Sequence, residues 1–98
     1  MTNEAALIIA RELAHPEGLR VIPTKGVIVL AALVHNNKIL KGWFTYKNNS
    51  YKASRVDGAK QAAVAILIKG DMTEEVTRSR IQQGIVTLKE GIRNEEVT

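Results

Sequence analysis

The chain of 98 residues contains no cysteine, which excludes a disulfide framework, thiolate metal sites and a cysteine nucleophile. Its glycines do not gather into a phosphate-cradling loop, since Gly26, Gly42 and Gly58 stand isolated. The two histidines, His15 and His35, have no second histidine at ligand spacing, and a metal site needs three or four convergent donors. No nucleophile elbow surrounds Ser50, Ser54 or Ser79. Asp57, Asp71, Glu74 and Glu75 fit helix starts better than a pair of catalytic carboxylates. These gaps together predict a protein that is not an enzyme and takes no cofactor or metal.

Long apolar runs are missing too. The longest, Val27–Val34, has eight residues, far below the roughly 20 that a bilayer-spanning helix needs. The start does not resemble a signal peptide: Glu4 occupies a position that would be basic, and the apolar run Ala5–Ala10 is short. A soluble, cytoplasmic protein with no membrane partner is the expectation.

What is present is ordinary for a globular chain. A hydrophobic content of 45% with a net charge of only +4 argues against disorder. The length predicts a single domain over 1–98, with 94–98 as a frayed tail. The charge is unevenly placed. Residues 20–60 hold Arg20, Lys25, Lys38, Lys41, Lys47, Lys52, Arg55 and Lys60 against Asp57 alone, a local sum of +7. Both flanking segments are slightly acidic. A block of one sign points to an acidic or polyanionic partner.

Periodicity predicts an α+β fold: an N-terminal helix, a three-stranded antiparallel meander, then one or two helices packed on the sheet. Ala6, Ile9, Ala10 and Leu13 recur at helical spacing, so Asn3–Ala14 is the first helix, capped by Thr2 or Asn3. Pro16-Glu17-Gly18 ends it. Val27–His35, Lys38–Lys47 and Ser50–Val56 are the expected strands, joined by Asn36-Asn37 and Asn48-Asn49. Asparagine tolerates the left-handed backbone of two-residue hairpin turns. Arg20–Pro23 is a further short edge strand, with pairing limited by Pro23. Asp57 and Gly70 bracket a second helix over Gly58–Lys69. Asp71 or Thr73 opens a third, carrying the stripe Ile81, Ile85, Leu88 and Ile92, with a short strand Ile85–Lys89 as the alternative because of Gly84.

Alternation about the Asn48-Asn49 turn places Lys41, Trp43, Lys47 and Lys52 on one face with Thr45, Ser50 and Ser54. Leu40, Phe44, Tyr46, Tyr51 and Ala53 share the other, with Arg55 at the rim. Lysines neutralise phosphates, and an indole stacks on a base. Lys41, Trp43, Lys47, Lys52 and Arg55 are therefore the candidate binding residues, with nucleic acid as the expected partner. The same turn logic puts Ile28, Leu30, Ala32 and Val34 on the side of Lys41 and Trp43. The strand Val27–Val34 is then apolar on both faces, and the Ile81–Ile92 stripe or a second subunit must cover one of them. A homodimer through Val27–Val34 or Ile81–Ile92 follows as an expectation.

A hairpin followed by Ala59-Lys60-Gln61-Ala62-Ala63 resembles the strand-to-helix passage of double-stranded RNA-binding domains. Val56 and Asp57 replace that family's lysine pair, and its Gly-Pro-x-His loop is missing, so membership is not assigned. In size and character the chain also resembles virus- or mobile-element-encoded inhibitors such as anti-CRISPR proteins. That likeness gives the alternative expectation: a stoichiometric inhibitor or adaptor bound to an acidic, nucleic-acid-processing protein.

Overall fold

The apolar spacing of the first segment produces helix α1 (Asn3–Ala14), whose first free amides are capped by Thr2. The Ala5 amide donates to Thr2 Oγ1 at 3.1 Å. Ala6, Ile9, Ala10 and Ala14 form its buried stripe, and these mostly small side chains let the helix lie close to what it covers. The chain then makes a 3-10 turn (His15–Glu17) and reverses at Gly18, which has φ 77. A computed structural model describes this and the rest of residues 1–40 and 58–95.

Among the described residues four strands follow: β1 (Arg20–Thr24), β2 (Val27–His35), β3 (Lys38–Ile39) and β4 (Lys60–Leu67). A single long helix, α2 (Glu74–Glu95), completes the described chain. The α+β class therefore holds, with an N-terminal helix, a β1-β2-β3 meander and a C-terminal helix on the sheet. β2 takes the bounds that its apolar run predicts.

Among the described residues every pairing in the sheet is antiparallel and uses β2. β1 pairs along Val27–Ala31, β4 along Val27–Val34, and β3 at Val34–His35. A strand has two edges, so β4 takes one, and β1 and β3 lie end to end along the other. The backbone bonds agree with this. Leu40 N–H donates to Leu33 O toward β3, whereas Ile68 N–H donates to Gly26 O across the β4 edge. Odd-numbered β2 residues thus bond toward β1 and β3, and even-numbered ones toward β4.

Pro23 fits this scheme. It faces Ile28, an even position, so the proline nitrogen lies on the outer edge of β1 and costs the sheet no bond. Pro23 does not limit the pairing as its chemistry predicts: the register is complete from Arg20 to Thr24.

The main departure from the sequence reading is β4. The helix expected over Gly58–Lys69 does not form, and Lys60–Leu67 is instead an eight-residue strand. The alanines at 62, 63 and 65 favour a helix locally. Val64, Ile66 and Ile68 alternate at period two, however, and strand pairing gives the second edge of β2 its hydrogen-bond partner. The passage that resembles a double-stranded RNA-binding domain is therefore strand, not the helix start that family would need.

Both helices lie on one side of the sheet. Ile28, Leu30, Ala32 and Val34 of β2, Ile66 and Ile68 after them, and Ile81, Ile85, Leu88 and Ile92 of α2 form one buried cluster with α1. The stripe that covers β2 is the one the sequence marks out, and Ile85–Lys89 is helix. That use buries Ile81, Ile85, Leu88 and Ile92, with the inward half of Val27–Val34, in the chain's own core. Helix α2 also runs through Asn94 and Glu95, two residues that the sequence assigns to a frayed tail.

Thr73, rather than Asp71, caps α2: the Val76 amide donates to Thr73 Oγ1 at 3.2 Å. One turn later, the buried Thr77 hydroxyl donates to Thr73 O at 2.8 Å.

Gly84 and Gly91 sit on the same helix in opposite circumstances. A Cβ at Gly84 would lie 2.7 Å from Ile66 Cδ1, whereas one at Gly91 would meet nothing within 4 Å. Gly91→Ala should therefore stabilise the fold by roughly 0.5–1 kcal/mol through helix propensity alone. Gly84→Ala should lose that gain to overpacking, typically ~1–3 kcal/mol. Thermal unfolding of the two variants checks this: Tm rises for the first and falls for the second.

Candidate binding surface

The site can be built outward from the β2–β3 hairpin. Asn36 and Asn37 both adopt left-handed backbone, with φ 52 and 62, as a two-residue turn with the strands' own twist requires. The closing pair is His35 with Lys38, so the turn fixes where Lys38 emerges.

Two shallow cavities open on this turn. One, of about 320 Å³, is lined by Glu17, Asn37, Lys38, Ile39, Lys89, Ile92 and Arg93. The other, of about 260 Å³, is lined by Val34, Asn36, Asn37, Gly58 and Lys60. Lys38, Lys60, Lys89 and Arg93 therefore gather at one end of the sheet. Lys89 is paired with Glu17, a half-exposed ion pair worth ~0–1 kcal/mol. Lys38, Lys60 and Arg93 are exposed and have no acidic partner among the described residues.

Lys41, Trp43, Lys47, Lys52 and Arg55 lie in 41–57, outside the described residues. The expected Asn48-Asn49 turn, and the strands read over most of Lys38–Lys47 and over Ser50–Val56, lie there with them. The structure does locate the two ends of that segment. Leu40 and Ala59 both pack on Leu33, as a small cluster apart from the main core. Gly58 sits against the His35 ring, where an added Cβ would be 3.7 Å from Cδ2. Leu40 and Gly58 thus lie at the end of the sheet that carries Lys38 and Lys60.

β1 occupies the β2 edge along Val27–Ala31.

A further cavity lies elsewhere. About 410 Å³ between α1 and β1 is lined by Arg11, Glu12, His15, Pro16, Leu19, Arg20 and Val21. Glu12 on its rim reaches Arg78 of α2 at 3.6 Å. This hollow falls in the volume range of small-molecule sites, and Arg11, Glu12, His15 and Arg20 stand on its lining. Among the described residues, no three of His, Cys, Asp and Glu come together as metal ligands. No described helix is long and apolar enough to cross a membrane.

Comparison with known proteins finds no matching family model, no similar curated protein and no similar solved structure.

The charge block of the sequence already contains Lys38 and Lys60. Arg93 and Lys89 carry no such signal, because α2 brings them to the hairpin from far along the chain. The turn that organises this end can be tested by its backbone. Asn37→Val should cost ~1–2 kcal/mol, the penalty of a β-branched residue in left-handed backbone. Asn37→Gly should leave stability unchanged or slightly raised, and denaturant unfolding of both variants distinguishes the outcomes.

Proposed function

We propose that this chain is a non-enzymatic binding protein that holds nucleic acid at the basic end of its sheet. The observation that carries the reading is the convergence of Lys38, Lys60 and Arg93 on the β2–β3 turn. Leu40 and Gly58, which flank the lysine-rich segment 41–57 in sequence, lie there as well.

Lys38 and Lys60 are exposed ammonium groups on opposite edges of β2. Ile39 and Lys60 face the same residue, Val34, and so stand two strand spacings apart, ~10 Å. Lys38 lies opposite His35, one residue along and on the other face of the sheet, so a polyanion meets both charges by wrapping around the hairpin end. The segment 41–57 contains Lys41, Lys47, Lys52 and Arg55, further cations for phosphates, and Trp43, a residue type that stacks on bases. Affinity then rests mainly on counterion release and falls steeply with salt.

A protein partner is the second reading. It is favoured by the 410 Å³ cavity between α1 and β1, whose apolar floor suits an inserted side chain better than a phosphate backbone. An acidic, nucleic-acid-processing protein could use the same basic end.

Fluorescence anisotropy with a labelled single-stranded oligonucleotide tests the first reading. Lys38→Glu/Lys60→Glu and Lys41→Glu/Lys52→Glu should each weaken binding at least tenfold. The slope of log affinity against log salt should become shallower by about 1 for every phosphate that a variant no longer neutralises. Lys38 and Lys60 are exposed, so the fold should survive, which circular dichroism verifies. Affinity and slope unchanged in both variants would remove these residues as the site, and no binding by the wild-type chain would remove nucleic acid as the ligand and leave the protein partner.

A further inference from the structure

The two edges of the sheet are built differently. The outer edge of β1 is five residues long, begins at Arg20 and has Pro23 on it, features that discourage a further strand. β4 has no such protection: from Gln61 to Ile68 it contains neither charge nor proline.

The register shows what this edge displays. Even-numbered β4 residues bond toward β2, as Ile68 N–H does to Gly26 O. The N–H and C=O groups of Gln61, Ala63, Ala65 and Leu67 therefore point outward. They have no partner among the described residues. The side chains of these four are exposed, Leu67 to 51%. Ala62 and Val64 face α2 yet are only half-buried, so the helix does not overhang the edge. Beside them runs a groove of about 320 Å³, lined by Gln61–Val64 and by Thr87, Leu88, Gly91 and Ile92. Thr87 and Gly91 are small, and a Cβ at Gly91 would enter open space.

We propose that β4 pairs with β4 of a second copy of this chain, antiparallel about a two-fold axis through Val64. The edge is self-complementary in that register. Ala63 faces Ala65 of the second copy and Gln61 faces its Leu67, each as a hydrogen-bonded pair using only outward groups. Lys60 meets Ile68 rather than another cation. The two sheets become one continuous sheet, and the α2 helices cross where Thr87 and Gly91 leave room. A second copy, rather than a foreign strand, follows from this symmetry, because the same unprotected stretch supplies both sides of the pairing without opposing charges. The pairing does not depend on the nucleic-acid reading.

Light scattering of the full chain should give about twice the chain mass at high micromolar concentration. Ala65→Pro removes one outward N–H and leaves the ladder to β2 intact, so it should be folded and monomeric. Should that variant fail to fold, two exposed positions carry the test instead. Ala63→Glu/Ala65→Glu sets two glutamates face to face on each side of the axis and should be monomeric. Ala63→Glu/Ala65→Lys sets opposite charges there and should restore the dimer. Hydrogen exchange should show concentration-dependent protection at 61, 63, 65 and 67 but not beyond the ladder's normal protection at 62, 64 and 66. A monomeric wild-type chain, or a dimer that persists in the double-glutamate variant, would overturn the proposal.

Discussion

Everything in this molecule is arranged around β2. It is hydrogen-bonded on both edges and apolar on both faces, so its burial requires partners on every side. One edge is satisfied by β1 and β3 in line, the other by β4. The face bearing Ile28, Leu30, Ala32 and Val34 is satisfied by α1 and α2. An unpaired buried backbone group costs about 1–3 kcal/mol. Leu30–Val34 of β2 are buried, so water could not replace a missing neighbour there, and an open edge would forfeit more than most single mutations cost. That demand is strong enough to override local preference elsewhere in the chain.

β4 is where the override occurs. Taken alone, Ala62, Ala63 and Ala65 between Asp57 and Gly70 have the composition and boundaries of a helix, and local propensity is all that a short window of sequence exposes. The competing signal, Val64, Ile66 and Ile68 at period two, is only three residues long. It becomes decisive once the second edge of β2 is known to be vacant, which is a fact about pairing distant in sequence. By contrast α1, β2 and the Asn36-Asn37 turn are legible because each is determined locally: a helical stripe, a β-branched run, and two residues suited to positive φ. The cover of β2 by the Ile81–Ile92 stripe is legible for a different reason. A doubly apolar strand and one remaining apolar helix face leave few ways to bury both.

The candidate surface divides along the same line. A run of like charge is visible in sequence, so Lys38 and Lys60 belong to a recognisable block whatever the fold. Their placement on opposite edges of β2 is not visible there, because it depends on β4 being a strand. As a helix residue, Lys60 would have no fixed relation to the hairpin. Arg93 and Lys89 arrive only because α2 continues unbroken past Gly84, the residue that leaves its second half open to a strand reading in sequence. The glycine is explained by the close approach of Ile66, a packing requirement rather than a helix break.

The same packing logic separates the two ends of the sheet. At the hairpin end, cations without described partners repel one another and lower the stability of the free chain slightly, a cost that bound anions would offset. Along β4, the unprotected edge has no charge at all, and its unpaired groups demand an extended backbone rather than an ion. Polyanion binding and strand addition therefore draw on different physical terms and on different residues. Raising salt weakens the first by screening and counterion competition, while it leaves backbone pairing between uncharged strands nearly untouched. An assembly in which β4 joins two copies would set two basic hairpin ends on one continuous sheet. Bivalent attachment to a single polyanion would then bind more tightly than either end alone, provided the nucleic acid between them can span both.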